Sequence, residues 1–304
     1  MKTTRVGFVG LGVMGIPMAA NLCNAGYEVN IYDIDMAAAD RALQEMKTGS
    51  VMATPKAVAQ ASDVVITMLP SGKYVNAVTT GPDGLLEGFQ GGEILIDTSS
   101  SEPWITMELS KRLSKQGVEM IDAPVSGAQI GAQNAELIFM VGGKEEAISK
   151  VTPILKAMGK QLFHLGPVGS GHMMKCINNL ITSMTFMATA EGLVIGKKYG
   201  IDPSVMTDVL NASTGMSWVS QTHIKQRIIN RKFDDAFKLN LMIKDIGIAM
   251  NLADKSGLSV PISALGHQLW KAAGHSSEKE GSISNMVRWI EDLSNIEISP
   301  VESI

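Results

Sequence analysis

An α/β domain on a doubly wound parallel sheet, followed by an all-α domain begun by one long helix, is the fold that the sequence predicts. Three observations predict it. Short β-branched runs alternate with helical segments through the first half. Those runs are apolar almost without a break, as strands must be when helices cover both faces of their sheet. Beyond residue 166 no run reads as a strand, while helical periodicity continues.

Residues 6–9, 29–32, 64–68, 94–97, 120–121 and 137–141 read as strands, and 14–25, 37–47, 102–116 and 145–158 as helices. The pattern changes near 164–169, which divides the chain into residues 1–165 and 166–304. A long helix over 171–198 opens the second part, followed by helices over 203–212, 217–230, 240–256, 262–273 and 283–294. Residues 296–304, with Pro300, read as a loose tail.

Composition excludes several classes of function. With 45% hydrophobic and 18% charged residues and a net charge of −4, the chain has no basic stripe for nucleic acid. The most apolar later stretch, 180–190, is too short to span a bilayer, and the start lacks a secretory pattern, so cytoplasm is the expected compartment. Cys23 and Cys176 read as reduced packing residues. No C-x-x-C or H-E-x-x-H spacing exists, and no metal is expected.

Gly10-Leu11-Gly12-Val13-Met14-Gly15 follows a strand and opens a helix, and the next strand ends at Asp33. A dinucleotide needs this context. Gly10 makes the tight turn, Gly12 admits the pyrophosphate, Gly15 allows close helix packing, and the helix N-terminus faces the phosphates. These features make the sheet Rossmann-type. A carboxylate at Asp33 accepts from the adenosine ribose hydroxyls and repels a 2′-phosphate, so NAD is expected over NADP. The alternative for Asp33 is a cap on the helix that follows. Arg41 lies well into that helix.

Residues 169–179 read GSGHMMKCINN, and Lys175 is the only charged residue between Lys160 and Glu191. Ser170 is a candidate N-cap, which puts Lys175 in about the second turn with Asn178 and Asn179 on its face. An apolar setting and the positive end of the helix dipole both favour the neutral amine, the form that can take a proton. Periodicity alone leaves open a lysine that reaches to solvent.

The G-x-G-x-x-x-K-x-x-N-N pattern of residues 169–179 resembles that of the β-hydroxyacid dehydrogenase family, which includes 3-hydroxyisobutyrate dehydrogenase and tartronate semialdehyde reductase and, more distantly, 6-phosphogluconate dehydrogenase. Three more stretches are similar to it in the same order: residues 7–19 (GFVGLGVMGIPMA), 122–128 (DAPVSGA) and 244–249 (KDIGIA). The resemblance implies an NAD-dependent interconversion of a small β-hydroxy acid and its semialdehyde or keto form, with Lys175 as general acid/base. It implies substrate contacts at Ser126, Gly127, Ala128 and Asn179, the first three as a nest of N–H groups for a carboxylate. It puts Leu69, Pro70 and Thr98, at two strand ends, beside the nicotinamide, and makes Lys244 a second cation that approaches the cofactor or substrate and opposes protonation of Lys175. Trp218 falls near where relatives place pocket residues and either lines the pocket or packs in the core, and the partners implied are a small anionic substrate and further copies of the chain, as a dimer or tetramer. Where relatives have a second glycine, Ala128 narrows the nest or demands a negative φ. The alternatives are a non-catalytic NAD-binding sensor or scaffold and an NADP-preferring semialdehyde reductase.

Overall fold

A computed structural model describes residues 4–46, 48–276 and 281–300. The chain forms two compact units, one up to Lys175 and one from Cys176.

The first unit runs β1 (Arg5–Val9), α1 (Gly15–Asn24), β2 (Glu28–Tyr32), α2 (Met36–Glu45), β3 (Ser50–Val51), α3 (Pro55–Gln60), β4 (Val64–Thr67), α4 (Gly72–Thr80), α5 (Leu85–Gly88), β5 (Ile94–Asp97), α6 (Pro103–Ser114), β6 (Glu119–Asp122), β7 (Val125–Ser126), α7 (Ala128–Gln133), β8 (Leu137–Gly142), α8 (Glu145–Lys156) and β9 (Gly159–Gly166). The sheet order is β3-β2-β1-β4-β5-β6-β8-β7, with β9 beside β8. Pairing is parallel from β3 to β6 and antiparallel where β8 meets β6 and β7.

Strand alternation splits the apolar side chains between two cores. Val6, Phe8, Val64, Ile66, Ile94, Ile96 and Ile121 face one of them. Val9, Val65, Leu95 and Met120 face the other. Both faces are thus dry, which is why the strands carry unbroken apolar runs.

The elements α3, α4, α5, α7, β3, β7 and β9 are additions to the sequence expectation. Five of them are too brief for a periodic signal to stand out, β9 is longer but mostly exposed and so carries no apolar run, and α4 opens on a glycine and ends in two threonines. Thr54 before Pro55 is nonetheless a helix-start signal and does cap α3 through Ala57 N–H (3.1 Å). The predicted helix over 37–47 ends at Glu45, and Lys47 lies outside the described residues.

The helix α9 (Ser170–Lys198) begins in the first unit and continues through the second. The second unit adds α10 (Pro203–Asn211), α11 (Trp218–Thr222), a π-helical turn (Ile224–Ile229), α12 (Leu239–Lys255), α13 (Pro261–Ser276) and α14 (Asn285–Ser294). The π turn interrupts the helix expected over 217–230. Phe186, Trp270, Ile246, Met286 and Val287 belong to its core, with Trp270 Nε1 donating to Ser183 O at 3.2 Å. The expected loose tail is partly anchored: Ile298 is fully buried, its N–H donates to Glu291 Oε1 at 2.6 Å, and Lys197 Nζ donates to Ser299 O at 2.7 Å. Residues 301–304 lie outside the described residues. No described helix is long and apolar enough to cross a membrane.

Candidate active site

The glycine turn between β1 and α1 has a physical reason for each glycine. Gly10 has φ +100°, and a Cβ there would lie 2.3 Å from Met68 O. A Cβ on Gly15 would lie 1.9 Å from Gly10 O, so only glycine lets the helix start this close to the turn. Gly12 differs. It is exposed, and a Cβ there would meet nothing within 4 Å. Nothing among the described residues demands glycine at 12, and the bare backbone there leaves room for a close-approaching group. Helix α1 has no capping side chain and no acidic residue in its first turn, which suits an anion at its N-terminus. Leu11 is buried and Val13 is exposed.

Asp33 follows β2 and is half-buried. Its carboxylate accepts from Leu11 N–H at 2.6 Å and Asp35 N–H at 2.8 Å, which ties the second strand's end to the glycine turn. It is not the helix cap; Asp35 caps α2 through Ala37 N–H at 3.0 Å. Arg41 also comes closer than its sequence position suggests, reaching back to Asp35 at 3.5 Å.

The ends of β4 and β5 carry Leu69, Pro70 and Thr98. Leu69 N–H donates to Ser99 Oγ at 2.9 Å. Thr98 is buried, and its hydroxyl donates to Thr67 O at 2.7 Å, so this side chain closes the strand ends together.

Lys175 is half-buried near the start of α9. Ser170 is the first residue of that helix rather than its cap. The cap comes from β6: Asp122 accepts from Gly169 N–H at 2.6 Å and His172 N–H at 2.8 Å. Two glycines permit this. Gly169 has φ +97°, and a Cβ on Gly171 would lie 2.2 Å from Met140 O. The sequence pattern G-x-G thus serves to bring the helix start against the strand ends.

Ser126, Gly127 and Ala128 form the turn from β7 into α7. Gly127 has φ +126° and Ala128 φ +52°. Of the two alternatives for Ala128, a negative φ is excluded. The alanine takes the left-handed conformation that a glycine would adopt without strain, at a cost of roughly 1 kcal/mol. Gly127 and Ala128 are exposed and Ser126 is half-buried.

In the second unit Asn179 is buried, and both ends of its amide are engaged. Nδ2 donates to Asp245 Oδ2 at 2.6 Å, and Oδ1 accepts from Asn178 Nδ2 at 3.1 Å. Lys244 Nζ lies 3.1 Å from Asp245 Oδ1. Its charge is thus matched by a buried carboxylate, which weakens the like-charge repulsion that the sequence reading assigned to it. Trp218 is half exposed and packs on His223, ring centroids 4.4 Å apart. Burial pushes the Asp235 carboxyl up, but hydrogen bonds from His223 and Ser284 and the charges of His223 and Arg227 hold it below the usual carboxylate range.

Sequence reasoning missed His172, which is fully buried among Asp97, Asp122 and Thr106. No local signal marked it, since Asp97, Thr106 and Asp122 meet it only through the fold. Among the described residues no cluster of histidine, cysteine, aspartate and glutamate could hold a metal ion.

Residues 5–166 match the profile of the NAD binding domain of 6-phosphogluconate dehydrogenase. Residues 169–290 match that described as NAD-binding of NADP-dependent 3-hydroxyisobutyrate dehydrogenase. The chain is 35% identical to 3-hydroxyisobutyrate dehydrogenase of Pseudomonas aeruginosa, over 91% of its own length and 95% of the relative's. The chain belongs to the β-hydroxyacid dehydrogenase family. A second member, 2-(hydroxymethyl)glutarate dehydrogenase of Eubacterium barkeri, is 31% identical over 98% of both chains. A solved Mycobacterium tuberculosis 3-hydroxyisobutyrate dehydrogenase holding L-serine superposes with a TM-score of 0.87 at 30% identity, over 95% of this chain and 99% of that one. This β-hydroxyacid dehydrogenase is thus an oxidoreductase that uses NAD and acts on a small hydroxy acid.

Proposed function

We propose that the protein oxidises acids of the form HOCH₂–CHR–COO⁻ to their semialdehydes, or reduces the semialdehydes, with Lys175 as general acid/base. Three molecules in the relatives' names support the substrate form. 3-Hydroxyisobutyrate, 2-(hydroxymethyl)glutarate and L-serine all carry a hydroxymethyl group on the carbon that bears the carboxylate, and differ in R. The observation that carries the reading is Lys175 on a helix whose first turn is fastened by Asp122 to the end of β6. In such sheets ligands bind at the carboxyl ends of the strands. Bound NAD would supply the acceptor for the hydride that leaves the hydroxymethyl carbon. Neutral Lys175 takes the hydroxyl proton at Nζ in oxidation, and its ammonium returns one to the carbonyl oxygen in reduction.

Gly10, Leu11, Gly12, Val13, Met14 and Gly15 would form the turn that receives the pyrophosphate ahead of α1, with the Leu11 N–H committed to Asp33, and Asp33 would hold the adenosine ribose. Leu69, Pro70 and Thr98 would bound the nicotinamide side, with Lys244 as a further cofactor contact. The turn at Ser126–Gly127–Ala128 would receive the carboxylate. Asn179 retains one amide hydrogen for the substrate. Residues 1–165 would serve the cofactor and 166–304 the substrate and partner copies. Exposed Ile181, Ile195, Val205 and Val209 support a homodimer or homotetramer through the helical unit. Cys23 and Cys176, both buried and neither in a disulfide, accord with a reducing cytoplasm.

The test is NADH formation from 3-hydroxyisobutyrate, 2-(hydroxymethyl)glutarate, L-serine, glycerate and threonate, each against its amide or methyl ester. A neutral analogue leaves the carboxylate donors unpaired, so kcat/KM falls by roughly tenfold or more. Neutral analogues used as well as the acids would reject the carboxylate site, and simple alcohols outperforming every acid would reject the substrate class.

A further inference from the structure

β5 and β6 both end in aspartate, and their parallel register sets Asp97 beside Asp122. Both are fully buried. Two carboxylates side by side in a dry setting repel, and each needs donors. Asp97 accepts from Thr67 Oγ1 at 2.9 Å, Ser101 Oγ at 2.7 Å and Ser99 N–H at 3.0 Å. Asp122 accepts from the N–H groups of Gly169 and His172.

The His172 ring lies between the two. Nδ1 is 2.8 Å from Thr106 Oγ1 and 3.8 Å from Asp122 Oδ2, and Nε2 is 3.6 Å from Asp97 Oδ2. Nε2 is buried without a hydrogen-bond partner among the described residues. Burial leaves the Asp122 carboxyl above the usual carboxylate range; the charge of His172 and the bonds from Gly169 and His172 oppose this without cancelling it. An apolar side chain would fill this space without polar groups to satisfy, so stability alone does not explain the arrangement.

His172 is three residues before Lys175, on the same face of α9. Its backbone is held by Asp122, and its ring is held by Thr106 on α6 and faces Asp97 on β5. The first turn of α9 is therefore fixed in height by one strand and in rotation by another strand and a helix. We propose that His172, clamped between Asp97 and Asp122, is the positioning residue that sets where Lys175 delivers and takes its proton. The inference rests on the reading of Lys175 as the acid/base. It adds that a side chain with no reach to the substrate governs the chemical step through the helix start.

The test is a double-mutant cycle on the full-length protein with NAD and the best acid of the panel, read by kcat, NAD affinity and the isotope effect of substrate deuterated at the hydroxymethyl carbon. His172→Leu lowers kcat by about 10- to 100-fold, the usual cost of a misplacement near 1 Å. NAD affinity stays within about twofold and the isotope effect rises, because the hydride step becomes limiting. His172→Gln, which keeps a polar group toward Thr106, recovers most of the loss. On a Lys175→Ala background His172→Leu costs less than about threefold, because it acts through that lysine. If His172→Leu does not fold, Thr106→Val removes the Nδ1 partner, together with a 3.3 Å bond to Glu102 O, and gives the same pattern at a severalfold size. Unchanged kcat in the folded variant, or the same cost with and without Lys175, overturns the positioning role while leaving Lys175 in place. Undiminished turnover in Lys175→Ala alone overturns the acid/base reading, and this inference with it.

Discussion

Replacing Asp33 by asparagine removes one negative charge from the turn that would face the adenosine ribose. A 2′-phosphate carries about −1.5 to −2 charges. Two unit charges 4 Å apart are worth about 1 kcal/mol in bulk water and about 4 kcal/mol at an effective dielectric constant of 20. Asp33 is half-buried, so the water-like value, doubled for the phosphate, is a lower bound of about 2 kcal/mol, or roughly thirtyfold in NADP affinity. The substitution has a second effect. The two oxygens of Asp33 take the N–H groups of Leu11 and Asp35, and an amide can accept at only one of its ends. Losing one such bond loosens the turn by about 1–3 kcal/mol and weakens both cofactors alike. The quantity to read is therefore the ratio of kcat/KM for NADP to that for NAD, which should rise by roughly thirtyfold or more. A ratio that moves less than threefold refutes the role of Asp33. Asp35→Asn added to Asp33→Asn frees Arg41 from its ion pair and should raise the ratio again.

Other consequences follow from local geometry. Gly12→Ala meets open space and should leave the melting temperature within about 2 °C while weakening NAD at least tenfold; Gly15→Ala, blocked by Gly10 O, should lower the melting temperature sharply, and equal effects at the two sites would reject the phosphate reading. Ala128→Gly releases a left-handed alanine and should stabilise the fold by up to about 1 kcal/mol in urea titration while changing KM for the acid and not for NAD. Asp235 is held below the usual carboxylate range, so its contribution to stability is complete above that range and is lost as pH falls through its lowered folded value. Asp235→Asn should therefore flatten the acid limb of a urea-midpoint profile, and an unchanged limb would show that the His223 pair does not stabilise the fold.

The parallel sheet was legible because strands buried on both faces cannot hide their apolar runs, and β1, β2, β4 and β5 fall within a residue or two of the expected ranges. The antiparallel turn of β8 was not legible. Strand direction depends on how β7 and α7 carry the chain back, and neither short element has a periodic signal. Gly10, Gly12, Gly15 and Asp33 were readable because a dinucleotide turn imposes steric demands on consecutive residues. Asp122 belonged to a recognised stretch, yet its task of capping α9 from 47 residues away is a tertiary fact. His172 was passed over for the same reason, since its partners Asp97 and Thr106 meet it only once the sheet has formed. The engagement of both ends of the Asn179 amide likewise depends on Asp245, far along the chain.

Lys175 carries the central claim, and Lys175→Ala in single turnover with saturating NAD tests it most directly. Pre-binding the cofactor separates affinity from chemistry. The account predicts NAD affinity within about threefold of the parent and a hydride-transfer rate lower by roughly 10²–10⁴, the usual worth of a positioned acid/base. A variant that transfers hydride at the parental rate once NAD is bound, or one whose whole defect is lost NAD affinity, would contradict it.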